Sequence, residues 1–188
     1  MPSFTELVDS ITNEVRGCLR AVSPSSIEEA VEAIAKSKRV FLAGSGRSGA
    51  GIRAHAIRLM HLGKTVYLVG EVAVPPITGN DLLLVGSGSG RTKTALVTAQ
   101  EAKKRGARIL VITIDPQSPL AQLADNVVEV PAPAPKVIAS KELPKSIQPM
   151  GNLFEQALFI LLDILVMMIM EREGISSEEM FGRHANLE

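Results

Sequence analysis

Asp81-Leu82-Leu83-Leu84-Val85-Gly86-Ser87-Gly88-Ser89-Gly90-Arg91-Thr92 is the stretch on which the reading of this chain turns. Its first five residues form a short Leu/Val run without polar alternation, as expected of a strand covered on both faces. Alternating Gly and Ser follow, and Thr92 then opens a helical pattern that runs to about Arg105. A strand that turns through glycines into a helix is the repeating unit of a parallel α/β sheet. The same unit occurs upstream. Arg39–Ala43 reads as a strand, Gly44-Ser45-Gly46-Arg47-Ser48-Gly49 as its loop, and roughly Ser48–Leu62 as its helix.

Outward from these two units, Thr65–Val69, Arg108–Thr113 and Asn126–Val130 read as three further strands. A helix is expected over Gln117–Leu123, and Gly63 and Gly106 stand where helix C-caps belong. Pro75-Pro76 makes the connection from Gly70 to Asn80 too short and rigid for a full helix. Two helices precede the sheet, one from about Phe4 to Ala21 and one starting near Pro24, both with apolar residues at three- and four-residue steps. Five prolines make 131–151 an irregular binding loop or lid. Leu153–Met170 is a long apolar helix, interrupted by Glu155, Gln156 and Asp163, that reads as a core or subunit-contact helix rather than a membrane span. A short helix near Ser176–Phe181 ends the pattern.

The expected architecture is a single domain over 1–188. N-terminal helices occupy 1–37, a parallel α/β core 39–130, the Pro-rich loop 131–151, and C-terminal helices and tail 152–188. It is a three-layer α-β-α sandwich around a five-stranded parallel sheet. In the flavodoxin-like strand order 2-1-3-4-5, strands one and three are neighbours at the topological switch point, where ligands bind beyond the strands' carboxyl ends. Both glycine loops then face one ligand.

Composition narrows the function classes. Hydrophobic residues make up 46% of the chain, enough for a core that needs no disulfide or metal to hold it. Lys+Arg and Asp+Glu balance at 20 each, which argues against a broad nucleic-acid surface. The lone Cys18 fits a reducing compartment, and the N-terminus lacks a basic start and apolar signal core, so a cytoplasmic location is expected.

The loops carry the chemistry. Glycines let a ligand approach backbone N–H groups, and the following helix offers free N–H groups and the positive end of its dipole. Ser and Thr hydroxyls add donors, and together these suit a phosphate. Candidate phosphate or substrate contacts are Gly44, Ser45, Arg47, Ser48, Ser87, Gly88, Ser89, Gly90 and Thr92. Ser48 and Thr92 are alternatively helix caps. A competing reading takes Gly44, Gly46 and Gly49 as a dinucleotide fingerprint with Glu71 as the ribose acid. It ranks second, because the chain leaves little room for a dehydrogenase substrate domain.

Ser87 to Thr92 resembles the S-x-S-G-x-T phosphate loop of the sugar isomerase (SIS) domain family. The first loop, Arg58-Leu59-Met60-His61-Leu62-Gly63, Gln148-Pro149-Met150-Gly151-Asn152-Leu153-Phe154-Glu155-Gln156 and the closing Arg183-His184-Ala185-Asn186-Leu187-Glu188 narrow the resemblance to its hexulose phosphate isomerases. Arg91 departs from the family's usual acidic residue; it either strengthens the anion site or points to solvent. The resemblance implies conversion of D-arabino-3-hexulose 6-phosphate to fructose 6-phosphate, a step of formaldehyde assimilation by the ribulose monophosphate route. It also implies a homotetramer with no metal and no organic cofactor.

Moving a carbonyl from C3 to C2 passes through an enediol, and one carboxylate in a dry pocket can carry the proton between the carbons. Glu155, just inside a helix start on an otherwise apolar helix, is the candidate base, and its resemblance to the family motif favours that role over simple helix stabilisation. His184 is a candidate for shuttling hydroxyl protons, from a neighbouring subunit if the family pattern holds, and His61 is a further site candidate. His55 is read as structural. The histidines and Cys18 show no metal-ligand spacing. Two other function classes are a non-catalytic sugar-phosphate sensor and a nucleotide-binding oxidoreductase.

Overall fold

The computed structural model describes residues 2–135, 137 and 144–187. Part of the expected 131–151 loop, residues 136 and 138–143, lies outside the described residues, as do residues 1 and 188.

Five strands, β1 (Arg39–Gly44), β2 (Thr65–Leu68), β3 (Leu82–Gly86), β4 (Arg108–Thr113) and β5 (Asn126–Glu129), form one sheet in the order β2-β1-β3-β4-β5. Every neighbouring pair is parallel. The helices are α1 (Phe4–Arg20), α2 (Pro24–Lys36), α3 (Gly46–His61), α4 (Lys93–Lys104), α5 (Asn152–Glu173) and α6 (Ser177–Phe181). Local chemistry starts them: Ser3 and Glu6 form a reciprocal capping box on α1, and Pro24 occupies the first turn of α2.

Strand side chains alternate between faces, so each strand feeds two cores. Val40, Leu42, Leu82, Leu84, Leu110 and Ile112 belong to the core that also takes residues of α2, α3 and α5. Phe41, Ala43, Leu83, Val85, Ile109 and Val111 belong to the second core, closed by Ala95, Ala99 and Ala102 of α4. The uniform hydrophobicity of the strand runs has this double burial as its cause. Helix α5 contributes Leu153, Phe154, Ala157, Leu158, Leu161, Leu162, Leu165, Val166 and Ile169 to the first core and packs alongside α3 and α1. Half of its most apolar stretch is thereby buried inside the fold. Phe159, Ile160 and Met167 stay exposed on its other side.

The Gly70–Asn80 connection is irregular, as its prolines require, and a buried carboxylate fastens it. Asp81 accepts hydrogen bonds from Arg39 at 2.6 and 2.8 Å and from the Thr78 amide and hydroxyl at 2.7 and 2.8 Å. The Arg39 bonds, with those from Thr78, hold its carboxyl down to about 2 against the opposing effect of burial. Gly63 and Gly106 end their helices at φ +88° and +76°, a region open to glycine.

Two expectations need correction. No α-helix spans Gln117–Leu123; a turn at Asp115–Ser118 leads into a single 3-10 turn over Ala121–Leu123. Pro119 lies in the middle of this stretch, where it lacks the N–H a helix needs. The Asp115 carboxylate instead takes the Gln117 amide at 2.9 Å, a local bond that competes with helix. Helix α3 also starts earlier than Ser48: Ser45 is its N-cap and Ser48 sits within its first turn.

One buried polar group has a stability consequence. His55, in the middle of α3, is 2% exposed, and neither ring nitrogen has a hydrogen-bond partner among the described residues. Burial pushes its imidazole down to about 4 from 6.5, so it is neutral in the fold. Between those values the unfolded chain binds the extra proton, so this group's stability is complete above 6.5 and is lost as pH falls toward 4. From pH 7 to pH 5 it removes roughly 2 kcal/mol. Urea unfolding at those two pH values should show this loss in the parent chain and a smaller one in His55→Leu; equal losses would refute the assignment.

Candidate active site

The register of β1 on β3 sets the geometry. Gly44 pairs directly with Gly86, so both glycine loops leave the sheet at the same level from adjacent strands. The first loop is tight by construction. A Cβ on Gly44 would stand 2.9 Å from Gly49 Cα, and one on Gly49 would stand 2.7 Å from Gly44 O. These two glycines close the strand-to-helix turn, which places Gly44 in the frame of the site rather than on its surface.

The second loop is held from behind. Ser87 donates its amide to Ile112 O at 3.0 Å, and the carbonyls of Ser87, Gly88 and Gly90 accept from Gly90, Ile114 and Leu120 at 3.1 Å each. Thr113 Oγ1 also donates to Gly88 O at 3.1 Å. Gly90 adopts φ +58°, and a Cβ there would lie 2.0 Å from Ser118 Oγ. Its glycine is therefore a backbone requirement of the loop, and Gly90 does not line the cavity described next. Thr92 is the N-cap of α4, but its hydroxyl makes no capping bond and lies 3.4 Å from Ser87 Oγ.

Between the loops and the start of α5 lies a cavity of about 240 Å³. Ser45, Ser48, Ser87, Gly88, Ser89, Thr92 and Glu155 all line it, with Gly86, Ala95, Ile114, Ala134, Pro135, Met150, Gly151 and Phe154. Seven of the residues singled out in the sequence thus meet at one place. Its lining combines hydroxyls with the apolar side chains of Ile114, Ala134, Pro135 and Phe154. Sequence reading missed these apolar residues as site residues, since each reads as core or loop. Met150 and Phe154 carried a signal only as part of the Gln148–Gln156 stretch; Met150 carries a second one in its backbone. It is the one non-glycine residue at positive φ (58°) among the described residues, and it sits at the cavity.

Arg47 does not line this cavity. Its Nε donates to Glu155 Oε2 at 2.5 Å and its Nη2 to Asn152 Oδ1 at 2.7 Å, on the outer flank of α5. Arg91 takes neither expected course. Its Nη2 donates to the buried Asp115 at 2.9 Å, which ties the loop to the end of β4. Glu71, the ribose acid of the competing reading, is ion-paired on the surface with Arg53 at 2.6 Å.

His61 and His184 lie elsewhere in the chain. Their rings stack 5.3 Å apart at the C-terminal end of α3, and Arg183 Nη1 donates to His61 O at 2.9 Å. The cavity adjoins the other end of α3, roughly 22 Å away along a helix of this length. Within one chain, then, neither histidine reaches Glu155. Burial, followed by the nearby Arg58 and His184, pushes the His61 imidazole below its ordinary value. No group of three or more His, Cys, Asp or Glu among the described residues is arranged to hold a metal.

Known proteins resemble this chain over nearly its whole length. A protein-family model described as the SIS domain matches residues 33–161, which take in both loops and Glu155. The 3-hexulose-6-phosphate isomerase of Bacillus subtilis is 40% identical over 184 residues, 98% of each chain. That of Mycobacterium gastri is 41% identical over 185 residues, 98% of this chain and 92% of its own. A crystal structure from Methanococcus jannaschii, from which a molecular function of 3-hexulose-6-phosphate isomerase was inferred, superposes with a TM-score of 0.83. It is 33% identical, and the match covers 97% of this chain and 99% of that one. With the sheet order, the paired serine loops and these full-length likenesses in accord, the chain belongs to the SIS domain family.

Proposed function

We propose that this protein isomerises D-arabino-3-hexulose 6-phosphate to fructose 6-phosphate, the second step of formaldehyde assimilation through ribulose monophosphate. The observation that carries the reading is the single cavity shared by two hydroxyl-lined loops and one carboxylate. Relatives that bear the matching activity in their names, over nearly the whole chain, support the choice of substrate.

In this reading Ser45, Ser48, Ser87, Ser89 and Thr92 hold the phosphate with the amides at the start of α4, where the helix dipole favours an anion. The sugar chain then extends past the apolar lining residues toward α5. Glu155 removes the C2 proton and negative charge gathers on the C3 oxygen; a proton then passes from the C2 hydroxyl to that oxygen through the enediol, and Glu155 returns its own proton to C3. Arg47 holds Oε2 of the base and leaves Oε1 for the transfer. Glu155→Gln should lower kcat by at least about 10³-fold with little change in substrate affinity, read by fructose 6-phosphate formation and by calorimetry. Wild-type turnover in that variant would remove Glu155 as the base.

The serines act on the ground state and the transition state alike. Ser87→Ala and Ser89→Ala should each raise KM about tenfold, the worth of a hydrogen bond to a charged group, with kcat nearly unchanged. An unchanged KM in both would place the phosphate elsewhere.

The protein acts in the cytoplasm as a homotetramer, and His61 or His184 of a neighbouring subunit completes the site. The separation of both histidines from the cavity within one chain supports this, as does the exposed apolar surface of α5 at Phe159, Ile160 and Met167. Light scattering should give four times the chain mass, and mixing inactive Glu155→Gln with inactive His184→Ala and His61→Ala chains should restore part of the activity. A monomeric, fully active protein would exclude a shared site.

A further inference from the structure

A chain of hydrogen bonds runs from the N-terminal helix to the candidate base. Glu14 of α1 accepts from Ser146 Oγ at 2.7 Å, from the Ile147 amide at 2.8 Å and from Gln148 Nε2 at 2.9 Å. Gln148 Oε1 accepts from Asn152 Nδ2 at 3.0 Å. Asn152 Oδ1 accepts from Arg47 Nη2, and Arg47 Nε donates to Glu155 Oε2. Four links thus join a residue of α1 to a carboxylate more than a hundred positions later.

The direction of every link is fixed by chemistry. A carboxylate at Glu14 can only accept, so Gln148 must present its NH₂ there and its oxygen to Asn152. Asn152 must then donate to Gln148 and turn its own oxygen to Arg47, which can only donate. Both ends therefore impose the same orientation on the two amides. Gln148 is only 9% exposed, so a break would strand a buried amide. Burial raises the Glu14 carboxyl, but the bonds from Ser146, Gln148 and Ile147 outweigh it and leave the carboxyl below its usual range.

We propose that Glu14, Gln148 and Asn152 are positioning residues: their hydrogen-bond relay aims the Arg47 guanidinium, which in turn holds the Glu155 carboxylate in the orientation that transfers the proton. The inference rests on Glu155 being the base. Asn152 and Glu155 lie three residues apart on one face of the first turns of α5, and the two arms of Arg47 grip both. Without Asn152 the guanidinium keeps one partner and swings about it, and the carboxylate moves with it. The cavity hydroxyls lie outside this relay, so phosphate binding does not depend on it.

The test is steady-state kinetics of Glu14→Ala, Asn152→Ala and the double variant, with Glu155→Gln measured alongside. Binding of glucitol 6-phosphate, which has no carbonyl to enolise, is followed by calorimetry. Each single variant should lose about 10- to 100-fold in kcat, the scale of an ångström-size misplacement, with KM and glucitol 6-phosphate affinity within about twofold of the parent. Because both act through one relay, the double variant should be no slower than about the worse single. Gln148→Leu, which leaves α1 intact, carries the same expectation should Glu14→Ala fail to fold. Unchanged kcat in these variants beside an inactive Glu155→Gln would overturn the relay alone, as would losses that multiply in the double variant or fall on KM. A fully active Glu155→Gln would remove the base and the relay with it.

Discussion

The pairing of Gly44 with Gly86 across two parallel strands is the constraint from which the rest of the structure follows. Parallel neighbours must end at the same edge of the sheet, and each must then turn into its helix. Two strand-to-helix turns side by side put two helix starts and two sets of backbone amides around one crevice. Glycine is required there for steric reasons before any ligand is considered. Gly44 and Gly49 approach too closely for a Cβ, and Gly86 and Gly88 lie against Ile52, Phe154 and Ile114. The loop serines line the cavity beside Gly86 and Gly88 and bring hydroxyls to it.

Helix α5 supplies the third side of the crevice and combines two jobs along its length. Its buried face from Leu153 to Ile169 belongs to the main core, which fixes the helix against α3. That rigid seat carries Glu155 to the cavity at the helix's first turn. Arg47 at the start of α3 reaches across to it, so the two helices are joined by packing along their length and by an ion pair at the ligand end. An exposed pair of this kind adds little to stability, because water screens it and the side chains lose freedom. Its consequence is orientation.

Helix α1 stands outside the sheet layers, yet it is not an appendage. It packs on α5, and Glu14 gathers three donors from residues 146–148 just before α5 begins. An irregular segment rich in proline has few backbone bonds of its own, so a carboxylate on a neighbouring helix is an economical way to fix it. The segment's polar groups are thereby satisfied at a point where the chain approaches the cavity. At the opposite end of α3, the C-terminal tail folds back so that Arg183 caps His61 and His184 stacks on its ring. Glu155 of α5 thus meets Arg47 at one end of α3, and His61 and His184 meet at the other.

The sequence by itself determined the five strands, their parallel sense, the two serine loops and the long buried helix. Each rests on local signals: uninterrupted Val/Leu runs, glycines after strands, and apolar residues at helical spacing. It misplaced the element at Gln117–Leu123, where Pro119 lacks the N–H that a helix needs and only a 3-10 turn forms. Ser45, Ser48, Ser87, Ser89, Thr92 and Glu155 were legible as site candidates because hydroxyls beside glycines, and an acid on an apolar helix, stand out from their neighbours. Only the tertiary structure decided that Arg47 turns to Glu155 and Asn152, that Arg91 turns to Asp115, and that the two histidines lie a helix's length from the cavity. Those outcomes depend on which side chains long-range packing brings within hydrogen-bond reach, and no periodicity along a single chain encodes such distances.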